Sequence, residues 1–268
     1  MFGLFRRGAL LGTELSDWQF GCFEWLLRHT GGLEAFQQRR LIQPTPQFFP
    51  HDGSRGHAFA EMIFNQVKGY AGMVEWPCVL QCQEEDPNPH VAPALLIQGS
   101  PQSPAGTFRA TEEGALITYH PHQLQNPMAL VATFAHELAH YLIKPFPEPP
   151  PGGWEVWEPA TDLTAVFMGF GIFLANSRFN FTQYSNGQTM GWRSQRLGYL
   201  SEPEVLHMHA IFSVVRGIEQ RETLSHLKPA LRGIYKRVYK DVAEATKKGI
   251  APHFLRGIDS NSRVADIT

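Results

Sequence analysis

The stretch 127–144 repeats its apolar residues at the spacing of an α-helix. On a wheel of about 100° per residue, these side chains gather on one arc. The arc comprises Val131, Phe134, Ala135, Leu138 and Leu142. Asn126 and Pro127 precede the arc as an N-cap and a proline at the first helical position, and Pro145 follows it. The pattern therefore predicts a helix over 127–144 with one face in the core.

The same criteria predict five more helices. Ser16 stands at the N-cap position of the first, and the pair Gly31 and Gly32 marks its end. Ser201 is followed three residues later by Glu204, which is the sequence pattern of a capping box. The predicted spans are 16–29, about 55–70, about 158–176, a helix that begins after Ser201, and about 227–247.

Three stretches rich in β-branched or aliphatic residues are separated by clusters of proline and glycine, and they predict strands. They span 74–83, 91–98 and 107–119. The segment 179–200 predicts an irregular or hairpin-like region, with the dipeptide Asn186-Gly187 as its turn signal.

No repeat or linker divides the 268 residues, so the range 1–268 is predicted to form a single domain. Strands and helices occur in separate runs, which predicts the α+β class. We expect a mixed sheet that packs on the 127–144 helix, with additional N-terminal and C-terminal helices around this core.

The charge of the chain is close to balanced, with a formal net charge of −2. It gives no electrostatic attraction to nucleic acid or to an anionic membrane, and neither is expected as a partner. The most apolar segment, 163–175, has 13 residues. It reaches about 20 Å, which is shorter than a bilayer core of about 30 Å. It therefore predicts a buried helix and no stable membrane insertion.

The chain contains 3 cysteines, too few for a disulfide framework. Cys78 and Cys82 are four residues apart on a predicted strand, share one face, and are predicted to be buried free thiols. Near the N-terminus, the basic pair Arg6 and Arg7 precedes only a short apolar run, which is not the pattern of a secretory signal. We therefore expect a cytoplasmic location.

The predicted 127–144 helix carries the motif HELAH at positions 136–140. His136 and His140 stand about 40° apart on the wheel, so both imidazoles point to the same side. The small residues Ala129 and Thr133 lie beneath them and leave space for an ion. Glu137 projects about 100° away from His136, beside the ion rather than onto it. This is the pattern of a zinc site with an adjacent general base.

Two acidic residues begin the next predicted helix. Glu158 follows His140 by 18 residues, and Asp162 lies one turn further on, so both acids share a helix face. Ala165 and Gly169 continue that face, which predicts close packing against the helix that carries the histidines. A capping role explains either acid alone, but a carboxylate in so apolar a helix needs a partner. Wheel geometry does not choose which acid reaches the metal.

The pattern HExxH followed by ExxxD resembles the gluzincin arrangement of thermolysin and of the HExxH-type CAAX prenyl proteases. The resemblance implies a zincin-like domain with its metal core over about 107–176. It implies Zn²⁺ bound by three residues, His136, His140 and Glu158. Glu137 would then activate the attacking water, and Asp162 would accept a hydrogen bond from a ligand histidine. The greater length of the Glu158 side chain favours the same division between the two acids.

Together these residues predict a zinc-dependent metallopeptidase that acts on a peptide or protein substrate, with Glu137 as general base. Two alternatives stay open. One is a catalytically idle zincin fold that serves as a regulatory or binding module, although a purely structural site has no use for Glu137. The other is a metal-dependent hydrolase of a small amide, which the size of the cleft would distinguish.

Two further features are expected near the metal. A second donor to the oxyanion is expected downstream of the HELAH motif. The candidates are Tyr184, Arg193, Tyr199 and His207. The proline-rich loop 145–153 joins the two helices of the site, and its restricted backbone predicts a rigid rim at the cleft mouth.

Overall fold

The computed structural model describes residues 10–84, 90–92, 95–96, 105–184 and 200–248, with the backbone alone for 90–92, 95–96 and 178–184. The helices are α1 (Thr13–His29), α2 (Gly32–Gln37), α3 (Gly56–Tyr70), α4 (Pro127–Ile143), α5 (Trp157–Ala165), α6 (Gly171–Tyr184), α7 (Glu202–Val215), α8 (Gln220–Leu224) and α9 (Pro229–Lys247). The strands are β1 (Cys78–Cys82), β2 (His90–Ala92), β3 (Leu95–Leu96), β4 (Gly106–Thr111) and β5 (Gly114–Tyr119). The chain is thus a mixed α/β protein in which helices predominate.

The ends of α3, α4 and α9 lie close to those predicted. α1 ends at His29 as predicted but begins at Thr13 after Gly12, so the prediction that Ser16 is its N-cap is wrong. After α1 the chain passes through Gly31, whose φ of 89° is left-handed, and turns into the short helix α2, which was not predicted. α7 begins with the predicted capping box, in which the side chains and backbone of Ser201 and Glu204 bond reciprocally. The local sequence pattern was therefore sufficient to locate these predicted helices, although not the short helix α2.

β1, β5 and β4 form one mixed sheet with β5 in the centre, parallel to β1 and antiparallel to β4. The stretch predicted as extended over 107–119 is therefore a hairpin, whose last pair joins Thr111 to Gly114. Partners such as Phe108 and Ile117 share a face of the sheet, so the inward-facing positions change from even numbers in β4 to odd numbers in β5, and the sequence prediction missed this shift at the turn. β2 and β3 form a separate antiparallel pair that overlaps the stretch predicted over 91–98.

All three cysteines are free. Cys22 of α1 is buried, but Cys78 and Cys82 are only half-buried. The two residues do share a face of β1, as predicted, yet the prediction that they are buried is wrong. The reason is that β1 lies at the edge of the three-stranded sheet, where neighbouring elements cover it less completely than they cover β5.

α4 lies at the centre of the protein. It contacts β4 and β5 of the sheet as well as α3, α5 and α6. Every side chain from 129 to 139 is buried. Because neighbours cover α4 on all sides, its burial extends beyond the single apolar arc that the sequence predicts. His136 and Glu137 accordingly lie inside the protein rather than on its surface.

The helix predicted over 158–176 is interrupted. α5 ends at Ala165, the 5 residues Val166–Phe170 form a π-turn, and α6 then runs on to Tyr184. The start of the segment predicted to be irregular, 179–184, is therefore helical. The Asn186-Gly187 turn signal and the rest of that segment up to residue 199 lie outside the described residues.

Gly169 lies within this π-turn and has a φ of 108°. Its carbonyl oxygen accepts a hydrogen bond from the backbone N–H of Ile42 at 3.1 Å, and a side chain at this position would collide with the carbonyl of Arg40. The expectation that Gly169 continues the face packed against α4 is therefore wrong. The π-turn rotates this glycine towards the segment 40–42, where its lack of a side chain permits the close approach.

The run Trp154–Ser177 has 24 residues and contains an 18-residue window with a mean hydropathy of 1.2, so by length and composition alone it is long enough and apolar enough to cross a bilayer. It exceeds the predicted apolar segment 163–175 because it also includes the first turns of the helical run, from Trp154 onwards. Its apolar window is entirely buried inside the protein. It packs against α1, α4 and α7, which confirms the predicted burial of 163–175.

His209 of α7 lies wholly inside the protein, with 0% of its surface exposed. Its Nε2 is 3.0 Å from Oγ1 of Thr223, and its ring centroid lies 6.0 Å from that of Phe212 and 5.5 Å from that of Tyr235. Gly171 makes room for the ring, because a side chain there would collide with it. Burial lowers the pKa of His209 from 6.5 to about 3. The ring is therefore neutral in the folded protein near neutral pH.

Acidification is expected to destabilise the protein through His209. The unfolded chain takes up a proton at this residue near pH 6.5, whereas the folded protein does so only near pH 3. Stability therefore falls as the pH drops below 6.5. Between pH 7 and pH 5 the free energy of unfolding should fall by about 2 kcal/mol because of this residue.

Urea unfolding at these two pH values checks this expectation. His209→Gln should lose about 2 kcal/mol less than the wild type on acidification. The control His51→Gln, at an exposed position, should lose as much as the wild type. An equal loss in wild type and His209→Gln would contradict the assignment.

Candidate metal centre

Two neighbouring helices, α4 and α5, place the predicted site residues. His136 and His140 are one turn apart on α4, with their ring centroids separated by 4.8 Å and their planes inclined by 85°. Glu158 stands in the first turn of α5, where the helix dipole favours an acid. Because α5 packs against α4, its acidic face meets the two imidazoles. The three residues form a group that could hold a metal ion.

Two of the three distances between the candidate ligand atoms are those of a tetrahedral ion, and all three atoms lie within 4.8 Å of one another. Oε2 of Glu158 lies 3.3 Å from Nε2 of His136 and 3.4 Å from Nε2 of His140. Ligand atoms about 2.1 Å from a tetrahedral zinc ion are about 3.4 Å from one another. The structure is therefore compatible with a zinc site at these residues. Two imidazoles and a carboxylate also suit other transition metals, so the spacing alone does not identify the ion.

Asp162 contacts the far side of the His136 ring. Its Oδ1 lies 2.9 Å from Nδ1 of His136, and its Oδ2 accepts a hydrogen bond from the backbone N–H of Leu200 at 3.3 Å. Held at both oxygens, the carboxylate fixes the imidazole so that Nε2 faces Glu158. Glu158 thus lies beside both Nε2 atoms and Asp162 beside an Nδ1 atom. Which acid binds a metal stays a prediction.

Two side chains beside His140 were not predicted from the sequence. Nε1 of Trp157 lies 3.1 Å from Nδ1 of His140, and Oγ1 of Thr161 lies 3.2 Å from the same atom. Thr161 also donates a hydrogen bond to the backbone carbonyl of Trp157 at 2.9 Å. The two side chains are four residues apart, so the rule that paired the two acids would have placed them on one face of α5.

Burial and close contact shift the pKa values of the site residues. Burial by itself lowers the pKa of His136, but its hydrogen bonds to Asp162 and Glu158 outweigh burial and raise the pKa to about 10. Burial by itself raises the pKa of Glu158, but its hydrogen bonds to His136 and His140 hold it well below the usual range. Burial raises the pKa of Glu137 to about 7 and lowers that of His140. The anionic Glu158 favours a cation, and Glu137 is suited to exchange a proton near neutral pH.

Comparison of this chain with protein-family models, with curated proteins and with solved structures gave no match. The resemblance to gluzincins therefore rests on the residues of this site alone. The sequence shows only how these residues are spaced along the chain. The structure adds that the segments 136–140 and 158–162 lie together, with their candidate ligand atoms close to one another.

A pocket of about 670 Å³ opens beside the three candidate ligands. It is lined by β4, by the HELAH motif with Lys144 just beyond it, and by Trp154, Trp157 and Glu158. Trp154 is 64% exposed, which is unusual for so large an apolar side chain. The volume lies within the range of pockets that bind ligands, about 300–1,000 Å³.

Gly106 of β4 lies against Glu137. A Cβ atom at Gly106 would stand 3.1 Å from Oε1 of Glu137, 2.9 Å from the carbonyl oxygen of Thr118 and 2.5 Å from Cγ2 of Thr133. Thr118 belongs to the neighbouring strand and Thr133 is buried in α4, so neither moves easily. The missing side chain allows β4 to approach α4 and leaves the carboxylate of Glu137 at the pocket.

Gly106→Ala is expected to destabilise the protein by about 1–3 kcal/mol, because the added methyl group overpacks the contact between β4 and α4. Urea unfolding measures this loss. Gly69→Ala is the control, since a Cβ atom there meets nothing within 4 Å in a helical position. That substitution should stabilise the protein slightly. If Gly106→Ala were as stable as the wild type, the close approach of β4 to α4 would be wrong.

His207 does not line the pocket, so its proposed role as an oxyanion donor is wrong. It is 1% exposed and lies between α1 and α7, with Nε2 3.3 Å from Oγ of Ser16 and Nδ1 2.8 Å from Oε1 of Gln19. The sequence showed only that it follows the motif, not which side of α7 faces the site. The side chain of Tyr184, and all of Arg193 and Tyr199, lie outside the described residues.

Lys144 before the loop 145–153 and Trp154 after it line the pocket, but the residues of the loop itself do not. Its middle packs on α1 instead. Glu148 accepts hydrogen bonds from Arg28 at 2.8 Å and His29 at 3.1 Å, and the carbonyl of Pro151 accepts one from Nε1 of Trp18 at 2.6 Å. The flanking residues hold both ends of the loop near the pocket, as predicted, but the prediction that the loop itself forms the rim is wrong.

Proposed function

We propose that this chain is a zinc-dependent metallopeptidase with a zincin-type site. One observation carries the proposal: Oε2 of Glu158 lies at tetrahedral spacing from Nε2 of both histidines, and the carboxylate of Glu137 lies beside them at an open pocket. In this proposal His136, His140 and Glu158 hold the zinc ion. Asp162 orients His136 through its Nδ1 atom.

The chain's own residues then divide the chemistry of peptide hydrolysis. Bound zinc would supply Lewis acidity, which polarises a carbonyl group and lowers the pKa of water. Glu137 accepts the proton of the attacking water and passes it to the leaving amine. Its pKa of about 7, a result of burial, allows both protonation states near neutral pH.

β4 supports a peptide rather than a small amide as the substrate. Among the described strands, β4 lies at the edge of the sheet, and it lines the pocket through Gly106, Thr107 and Phe108. An edge strand offers backbone N–H and C=O groups with which an extended peptide can pair. A small amide would have no use for such an edge.

Two other functions differ from this one in their products. A catalytically idle module would bind zinc and peptide without cleavage, and the position of Glu137 at the pocket argues against it. A small-amide hydrolase would release an amine from small amides and leave peptides intact. A cytoplasmic location and the lack of a nucleic-acid or membrane partner belong to the proposal and rest on composition and sequence pattern.

Digestion of a peptide mixture made from a whole proteome tests the proposal. The zinc-loaded protein is incubated with the mixture, and new peptide ends are identified by mass spectrometry. We expect cleavage products with a shared sequence preference, lost on addition of a chelator and restored by zinc. Intact peptides after incubation with the zinc-loaded protein would refute the proposed activity.

A further inference from the structure

Nδ1 of His140 has two neighbours of different hydrogen-bonding capacity. The indole Nε1 of Trp157 is 3.1 Å away, and the hydroxyl Oγ1 of Thr161 is 3.2 Å away. An indole N–H can only donate a hydrogen bond, whereas a hydroxyl can donate one and accept others. The indole can therefore bond only an unprotonated Nδ1, whereas the hydroxyl can also accept a hydrogen bond from a protonated Nδ1.

The two neighbours therefore favour different tautomers of His140. A neutral imidazole carries one proton, so Nδ1 accepts from Trp157 only when the proton is on Nε2. Nε2 is the atom that faces Glu158, at 3.4 Å, and a metal ion binds an imidazole nitrogen that carries no proton. A ligand His140 must therefore carry its proton on Nδ1.

Thr161 is placed to accept that proton. Its own hydroxyl hydrogen points to the backbone carbonyl of Trp157, at 2.9 Å, which leaves its lone pairs directed elsewhere. Thr161 is 0% exposed, so no solvent competes for them. With the proton on Nδ1, the indole N–H of Trp157 would face another N–H group. The indole borders the pocket and is not enclosed by the core.

We propose that Thr161 is a positioning residue that holds His140 in the metal-binding tautomer, and that the indole of Trp157 opposes this tautomer and turns away when a metal binds. The inference rests on the zinc centre of the proposed function. It concerns metal affinity, not hydrolysis, so it can fail while the proposed activity stands.

Zinc affinity, measured by competition with a chelator, tests the role of Thr161. Thr161→Val keeps the shape and removes the acceptor, so binding should weaken by about 10–100-fold. Thr161→Ser keeps the hydroxyl and should restore most of the affinity. Thr164→Val is the matched control: Thr164 is also 0% exposed and donates to a carbonyl one turn earlier, that of Ala160 at 2.7 Å. It should bind zinc as the wild type does.

Trp157→Phe should bind zinc about fivefold more tightly than the wild type, the equivalent of one neutral hydrogen bond lost from the competing tautomer. Zinc should change the tryptophan emission of the wild type and of Trp154→Phe, but not that of Trp157→Phe. Circular dichroism and thermal unfolding exclude folding defects in each variant.

Three results would overturn the inference. They are wild-type affinity in Thr161→Val, equal weakening in Thr161→Val and Thr164→Val, and weaker binding in Trp157→Phe. A wild-type protein that binds no zinc would instead refute the metal centre itself. A protein that shows the expected affinities but cleaves no peptide would refute only the peptidase activity.

Discussion

Glu137→Gln is expected to lower peptide hydrolysis by about 10²–10⁴-fold, the usual contribution of a general base. Glutamine keeps the size and shape of the side chain but cannot accept a proton from water. Glu137 is not one of the three residues grouped as candidate ligands, so zinc affinity should stay close to that of the wild type. Initial cleavage rates and zinc content, measured on the same preparations, check both statements.

Glu155→Gln is a suitable control for that substitution. Glu155 is an exposed acid only three residues from Glu158, and it does not line the pocket. This variant should cleave peptides at the wild-type rate. Full activity in Glu137→Gln would show that another group takes the proton, and the assigned mechanism would then be wrong.

Loss of zinc is expected to follow a graded order among the site variants. His136→Ala, His140→Ala and Glu158→Ala each remove one of three close ligand atoms and should nearly abolish zinc binding. Asp162→Ala leaves those atoms in place and removes only the partner of Nδ1 of His136, so affinity should fall by about 10–100-fold. Metal analysis and chelator competition measure the series.

The order of the two acids is the informative part of this series. A metal lost from Asp162→Ala but kept by Glu158→Ala would reverse their roles. Far-UV circular dichroism of each variant separates loss of a ligand from loss of the fold. Glu155→Ala, on the same stretch of chain but exposed, should bind zinc normally.

The parts of the site that could be predicted from the sequence are those that depend on one helix at a time. Residues four apart lie on the same face of a helix, whatever the rest of the fold. This rule paired His136 with His140, and Glu158 with Asp162. The caps at Asn126 and Ser201 were equally local, since each bonds backbone groups within its own first turn.

The parts that could not be predicted depend on which surfaces meet. Nothing near Gly106 in the sequence reveals that β4 lies over Glu137, and nothing near Leu200 reveals that its N–H bonds Asp162. His207 follows the HELAH motif in the sequence, as an oxyanion donor was expected to do. Its partners are nevertheless decided by the side of α7 that packs on α1. Such contacts arise from tertiary packing between distant segments, which hydrophobic periodicity does not encode.

The π-turn Val166–Phe170 has a consequence for sequence comparison. Gly169 inside it has a φ of 108°, so the chain is kinked at this residue and α6 does not continue the face of α5. The helical wheel that groups Glu158 with later residues therefore holds only as far as Ala165. A homologue should keep glycine at position 169, because a side chain there would be strained and would collide with the carbonyl of Arg40.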